Sequence, residues 1–396
     1  MESGKSYTIL LIAVFAVGIL LRISFLNVEH NDSGPDENIY LRYANIFAEK
    51  GAPSINGIAA EYIANTGMHL YPSPARIGHI AISGLWLRIF KGFDFKALVR
   101  MSAFFSILSL FVGYLFAKRL FDGKIALLSL ILFAASPLNL ALARRALQDG
   151  VVYFFVSLAL YAFYLAIKRR SLTAYLFFSI SFFTCVMVKE STVLLSVFFL
   201  FFIFWNRAFY NKNSNVLLPA LSVFTALALS AVTYAVIIGW DDLARLIYIL
   251  CTSPMTNEYA RAYQSGSPLR YAIDFALVSP LTVIAMAGFL VSYVSGNIAQ
   301  NDGVFYLLAL FIVSYAVYSL FSKNLRFVAF LDLPIRILAS VFVTRLFKGS
   351  GNKAFALSVS VVTAVAVSDF LIFQHLFLRH AVYDPVTAGL LRAWNI

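Results

Sequence analysis

The chain has 396 residues, 61% of them hydrophobic and only 13% charged. A soluble domain carries about 25% charged residues, so this composition excludes an ordinary soluble fold and leaves little chain for a separate water-exposed domain. The net charge of +12 would suggest nucleic acid in a soluble protein, but here it falls on loops beside apolar runs, and no nucleic-acid partner is expected.

A spanning helix needs about 20 mostly apolar residues. In chain order the apolar runs predict spans at 7–26, 97–117, 124–142, 150–167, 172–188, 191–206, 215–238, 271–294, 303–321, 330–347 and 354–376, about eleven in all. The first run exceeds the apolar core of a cleaved signal and no A-x-A-like site follows, so it reads as a spanning helix. The fold class is therefore all-α: a polytopic membrane protein forming one domain over residues 1–396. Its 39 phenylalanines read as lipid-facing packing. Cys185 and Cys251 offer neither a disulfide framework nor metal spacing, and Cys185 reads as a small core residue.

Loop charge sets the expected orientation. Lys5, the group Lys118, Arg119 and Lys124, the group Lys168 to Arg170, then Arg207 and Lys212, and finally Arg345, Lys348 and Lys353 alternate so as to share one face, read as cytoplasmic. The N-terminus is then inside and the C-terminus outside, in a cell (plasma or inner) membrane. The outer face receives a long first loop (27–96), short turns at 144–149, 189–190 and 323–326, a second long loop (239–270) and the tail. Within the first loop, Ile39, Tyr43, Ile46 and Phe47 share one face of a helix over 36–50 that Gly51 stops. A more uniformly apolar stretch over 75–91 follows, and both read as interfacial helices.

The most informative stretch is Asp32-Ser33-Gly34-Pro35-Asp36-Glu37, at the first exit from the membrane. Carboxylates are expensive near a bilayer, so this cluster marks a functional site. Pro35 fits a first helical position, which places Asp36 and Glu37 at the positive end of a helix dipole, where a general base stays ionised. The outer turns also break the positive-inside trend with Arg144, Arg145, Lys189, Lys323 and Arg326. Together these cations suit a phosphate site, although each alone reads equally as an anchor. Arg145 and Asp149 stand four residues apart, the spacing of a helical ion pair. His30, His69 and His79 share the loop with Asp32 and Asp36, but their spacing fits no metal motif, so neither metal nor other cofactor is expected. Asp241-Asp242 reads as a solvated helix cap. No nucleotide-binding or nucleophile-elbow motif occurs.

Four places in the chain resemble the C-type integral-membrane glycosyltransferases that use polyprenyl-phosphate sugars, and most closely the protein O-mannosyltransferase and aminoarabinose transferase branch. They are Asp36-Glu37-Asn38-Ile39-Tyr40; Tyr71-Pro72-Ser73-Pro74 with Phe90-Lys91-Gly92; Arg145 to Asp149; and Asn324-Leu325-Arg326-Phe327 with Leu333-Pro334. The resemblance implies a glycosyltransferase that moves a sugar from a polyprenyl-phosphate donor to a lipid, glycan or protein acceptor, and one carboxylate on the acceptor side suggests inversion. Asp36 is then the catalytic carboxylate, joined by Glu37 and by Asp149 at the second acidic position. Arg144, Arg145, Lys189, Lys323 and Arg326 hold the donor phosphate, and Tyr40, His69, Tyr71 and Arg76 bind substrate. The chain departs from the pattern where a basic residue normally precedes the first prolines, a place His69 or Arg76 would have to fill, and where Phe327 replaces a tyrosine. The competing readings are a polysaccharide polymerase or ligase, whose key arginines belong in late outer loops, and a lipid-sugar transporter. A transporter calls for broken helices and mid-membrane polar residues. The sequence reads as having neither, with its ionisable groups at one face.

Overall fold

The computed structural model describes residues 2–26, 34–210, 215–298, 301–347 and 351–396; His30, Asp32, Ser33, Lys212 and Lys348 lie outside the described residues. Among the described residues there are helices and no strand. After α1 (Glu2–Ser24), the first loop holds α2 (Pro35–Lys50), α3 (Ser54–Ala64) and α4 (Ile77–Phe90). The bundle continues with α5 (Phe95–Leu120), α6 (Gly123–Ala134), α7 (Pro137–Ala143), α8 (Asp149–Arg169), α9 (Leu172–Val188), α10 (Leu195–Trp205) and α11 (Leu217–Ile238). Then come α12 (Trp240–Thr256), α13 (Glu258–Tyr263), α14 (Arg270–Val278), α15 (Pro280–Val294), α16 (Asp302–Tyr318), α17 (Asp332–Leu346), α18 (Asn352–Phe373) and α19 (Thr387–Ala393).

Local chemistry fixes many of the ends. The Glu37 side chain reaches back to the Gly34 amide at 2.8 Å, and Pro35 needs no amide partner at the first helical position. Asp94, Asp122 and Asn301 each accept an amide two or three residues into α5, α6 and α16, at 2.8, 2.9 and 2.8 Å, satisfying groups the helix cannot. By length and composition, six helical stretches among the described residues suffice to cross a membrane: Lys5–Ser24, α5, α8, Glu190–Ala208, α11 and Asn352–Arg379. The pair α6 and α7 makes a seventh, bent by 58°, while α9, α15 and α16 are apolar but shorter.

The helices fall on the predicted runs, with four corrections. First, the second long loop, 239–270, is mostly helical, as α12 and α13, and the first loop has a third helix, α3. Second, two spans are broken. The 124–142 run bends before Pro137, and the 271–294 run stops at Ser279 because Pro280 has no amide to continue the ladder. Third, ionisable groups do lie deep in the bundle. Arg22, Asp332, Arg336 and Asp369 are all fully buried, and read from sequence they were hidden inside apolar runs. Fourth, much of the phenylalanine is core. Phe163 packs within 4.6 Å of Phe199 and 5.0 Å of Phe178, in a buried aromatic cluster that includes Phe198 and Tyr306.

The first loop is clamped to one end of this core. A Cβ on Gly84 of α4 would meet the Phe47 ring of α2 at 2.5 Å. One on Gly78 would meet the Met187 backbone of α9 at 2.8 Å. Only glycine allows α4 to sit this tightly between α2 and α9, and that contact positions the head of α2.

Candidate active site

Segments far apart in sequence meet at this end: the head of α2, the turn before α8, the break at Lys189, the 323–327 turn and residues 382–384. Asp149, the first residue of α8, is enclosed. Its Oδ1 accepts from Lys189 Nζ at 2.9 Å and its Oδ2 from Arg326 Nε at 2.9 Å. Lys189 also donates to the Arg326 carbonyl at 3.4 Å and lies 5.0 Å from the Phe327 ring centre. Arg326 Nη1 stands 3.6 Å from Asp36 Oδ2 and 3.7 Å from Asp384 Oδ1. Both gaps exceed a normal hydrogen bond, so this edge of the guanidinium faces two carboxylates while its Nε is fixed on a third. Burial alone would lower the guanidinium pKa, but Asp149, Asp384 and Asp36 together hold it well above the ordinary arginine value. The side chain of Asp36 remains 31% exposed, whereas that of Asp149 is sealed at 1%, so of these two only Asp36 is open to an incoming group.

Glu37 stands apart from its neighbour. It is wholly buried, and its Oε1 and Oε2 accept the amides of Ala146 and Gly34 at 2.9 and 2.8 Å, with Arg145 Nη1 at 3.6 Å. Burial pushes its carboxyl up, against Arg145 and the two amides. Its position ties α2 to the 145–146 turn rather than to a reacting group. The expected Arg145–Asp149 helical pair does not form, because α8 begins only at Asp149 and the preceding turn is not helical.

The other candidates divide by place. Arg144 Nη1 donates to the Phe377 carbonyl at 2.8 Å, and Arg145 lies 4.4 Å from the Tyr383 ring centre. Both arginines line a narrow cleft whose walls are mainly Leu138, Ala141, Leu142, Leu147, Phe377 and Val382. Lys323 makes no ion pair with the cluster among the described residues; its amide donates to the Gln264 carbonyl at 2.6 Å. Arg76 forms a two-point pair with Glu190 at 3.1 and 3.1 Å and donates to the Tyr40 hydroxyl, on the Lys189 side of the cluster. His69 and Tyr71 sit instead at the 62–71 turn, where His69 Nε2 meets the Tyr62 carbonyl at 3.0 Å. Arg76, not His69, is thus the basic residue brought toward the acids. His79 is sealed under Tyr40, ring centres 4.8 Å apart. Among the described residues no group of three or more His, Cys, Asp or Glu is arranged to hold a metal ion.

Sequence reasoning missed the tail. Asp384 Oδ2 accepts from Tyr259 at 2.6 Å, and its Oδ1 accepts from Asn324 Nδ2. The Tyr383 ring packs so closely on Gly34 that a Cβ there would come within 2.4 Å. No local signal marked either residue, since each acts through contacts roughly sixty to several hundred residues away in the chain. Glu190 carried a signal, its place beside Lys189, that was read only as part of a turn.

This fold, a helical bundle with Asp36, Asp149, Lys189, Arg326 and Asp384 gathered at one end under a helical first loop, is shared with solved membrane enzymes. The structure is similar to the archaeal oligosaccharyltransferase AglB from Archaeoglobus fulgidus, solved with an inhibitory peptide and a dolichol-phosphate. The TM-score is 0.62 at 15% identity, over 94% of this chain and 56% of that one. It is also similar to ArnT from Cupriavidus metallidurans bound to undecaprenyl phosphate, with a TM-score of 0.52 at 15% identity, over 98% of this chain and 75% of that one. The chain therefore spans little more than half the length of AglB. In sequence, residues 77–235 match the family model described as dolichyl-phosphate-mannose-protein mannosyltransferase. No curated protein matches the chain.

Proposed function

We propose that the chain is an inverting glycosyltransferase that takes a sugar from a polyprenyl-phosphate carrier to an acceptor hydroxyl or amine of a lipid, glycan or protein, at the outer face of the membrane. The observation that carries this reading is the half-open Asp36 beside Arg326, next to an apolar cleft walled by two further arginines. Asp36 takes the proton of the acceptor as its oxygen or nitrogen attacks the anomeric carbon. The bond from that carbon to the phosphate oxygen breaks, and the polyprenyl phosphate leaves with the electron pair. A positioned base contributes about 10²–10⁴-fold. Arg326, locked by Asp149, and Arg145 meet the charge that grows on the leaving phosphate. Among the described carboxylates of the cluster Asp36 is the most open, and one such base on the acceptor side supports inversion without a sugar–enzyme bond. Lys189 acts from behind by holding Asp149.

The broken α6–α7 span favours a transporter only if its exposed ends are open to cargo. They are not: the carbonyls of Leu132, Phe133 and Ala134 already accept from Arg336 and Arg22.

Binding of undecaprenyl phosphate, the carrier without its sugar, tests the assignment without knowledge of the sugar. Native mass spectrometry of the purified chain should show a bound lipid phosphate that Arg326→Ala and Arg145→Ala each weaken at least about tenfold, since each removes a charge-assisted contact. Asp36→Asn should retain it. Equal binding by all four proteins would remove the cations from the donor site.

A further inference from the structure

The segment after α11 carries an apolar surface that the reaction does not use. α11 leaves the bundle at Ile238, and Gly239, with φ +94, turns the chain at once into α12. At about 100° per residue, the side chains of α12 fall into three sectors. Leu243 and Leu246 are buried, with Ile249 and Leu250 partly so, and this side packs on α3 and α11. Asp241, Arg245 and Thr252 form a polar edge. Between that edge and the core side, Trp240, Ala244, Ile247, Tyr248, Cys251 and Met255 form a continuous stripe about 100° wide. All six are exposed, Trp240 at 69%, Tyr248 at 70% and Met255 at 75%. Water does not favour such a stripe, and nothing among the described residues covers it.

Its continuity says what does. Val232 and Val236, on the last turns of the spanning helix α11, are 56% and 79% exposed, and Trp240 opens α12 directly after the Gly239 turn. The stripe therefore extends the exposed apolar flank of a spanning helix from the point where that helix ends. A tryptophan at this level followed by a tyrosine two turns on is the composition of a membrane boundary. We infer that α12 lies in the bilayer interface on the side of the candidate active site, its stripe in the lipid, its Asp241–Arg245–Thr252 edge toward water and its third side on the protein. The consequence reaches the site. α13 follows α12 directly, and its Tyr259 holds Asp384, which faces Arg326. A helix seated on the lipid surface thereby fixes the height above the membrane of one wall of the site. The inference rests on the shape and chemistry of α12 and not on the proposed reaction.

The chain supplies its own probe. It has two cysteines, and Cys185 is buried while Cys251 lies in the middle of the stripe. The full chain is placed in phospholipid nanodiscs and Cys251 is labelled with an environment-sensitive fluorophore. Quenching is compared for nitroxide carried on the lipid near the headgroup and nitroxide dissolved in water. Arg245→Cys in a Cys251→Ser background places the same label on the polar edge. An interfacial helix sets its apolar face about 5–10 Å inside the boundary, so the ratio of lipid to aqueous quenching should be at least about threefold higher at residue 251 than at residue 245. Trp240→Asp with Ile247→Asp should bring the residue 251 ratio down toward that of residue 245. Equal ratios at the two positions would overturn the inference in favour of a water-exposed helix. Shielding of residue 251 from both quenchers would overturn it in favour of a protein partner or a second copy of the chain.

Discussion

Asp36 and Glu37 are neighbours on one helical turn whose surroundings differ in every respect that matters to chemistry. Asp36 keeps 31% of its side chain open and stands near a guanidinium without a short hydrogen bond to it, whereas Glu37 has an amide on each oxygen. A base needs a free lone pair, so of the two carboxylates Asp36 is the one placed for the proposed proton transfer. Asp36→Asn should lower turnover by at least about 10²-fold while leaving lipid-phosphate binding in place, and steady-state kinetics with a defined donor checks it. Near-normal turnover would return the role to another group. His79 offers a second test at this scale, on stability. Its ring is enclosed, and burial, helped by the nearby Arg76 charge, lowers its pKa from the ordinary 6.5 to about 3. The unfolded chain therefore binds a proton that the folded chain refuses. The stability this represents is complete above pH 6.5 and drains away as pH falls toward 3, amounting to a few kcal/mol in order of magnitude. His79→Gln removes the titration. Melting curves of the wild type and the variant should converge in slope above neutrality and diverge below it, with the wild type losing more on acidification; parallel curves would show that His79 is not the acid-sensitive group.

The bend between α6 and α7 shows how an element can depend on charges that its own sequence does not contain. A helix that stops inside a membrane leaves its last carbonyls without partners, and lipid supplies none. Here Arg336 Nη1 donates to the Leu132 carbonyl at 2.9 Å, and Arg22 donates to Phe133 and Ala134 at 3.4 and 3.1 Å. The cations also sit where the helix dipole is negative. Arg336 is in turn neutralised by Asp332 at 2.8 Å and Asp369 at 2.6 Å, and Ser136, the cap of α7, donates to Asp332 at 2.8 Å. Arg22 is held by Ser106 at 2.7 Å and Asn139 at 2.5 Å. The direction of α7, which leads into Arg144 and Arg145, is thus set by residues of α1, α5, α17 and α18. Pro137 announces a bend in the sequence, but the partners that make the bend tolerable lie one or two hundred residues away and carry no local mark. The same reason explains why Arg145 and Asp149 read as a pair by spacing, yet each found a distant partner once the turn between them proved non-helical. Arg336→Ala should cost on the order of 3–5 kcal/mol, because it strands two buried carboxylates and a carbonyl. The triple variant Arg336→Met, Asp332→Asn, Asp369→Asn should recover much of that loss. Thermal unfolding in detergent measures both, and a triple variant no better than the single one would mean that the charges are not compensating each other.

For the whole molecule, what was legible was whatever repeats over many residues. Runs of about 20 apolar side chains placed the helical segments, and loop cations suggested a sidedness. The acids at the first exit were legible because charge is rare in such a chain. The site's third carboxylate, Asp384, was not, since a tail of mixed composition gives no hint that it folds back onto the 323–327 turn and the head of α2. Sidedness now has a geometric form. The first loop, Asp149, Lys189, Arg326 and the tail gather at one end of the bundle, while the Lys168–Asp302 pair joins α8 to α16 at the other end. The two ends should therefore face opposite compartments, and one labelling experiment on intact cells decides which faces out. Ile55 is buried and would not report, but Asn56 beside it is exposed, as is Lys353 at the head of α18. In a Cys251→Ser background, Asn56→Cys should react with a membrane-impermeant maleimide from outside the cell, and Lys353→Cys only after the membrane is opened. The reverse pattern would turn the protein over, placing Asp36 in the cytoplasm and requiring its lipid-linked donor on the inner leaflet. Reaction of both positions from one side would contradict the bundle itself, because these residues lie at opposite ends of helices that the hydropathy requires to cross.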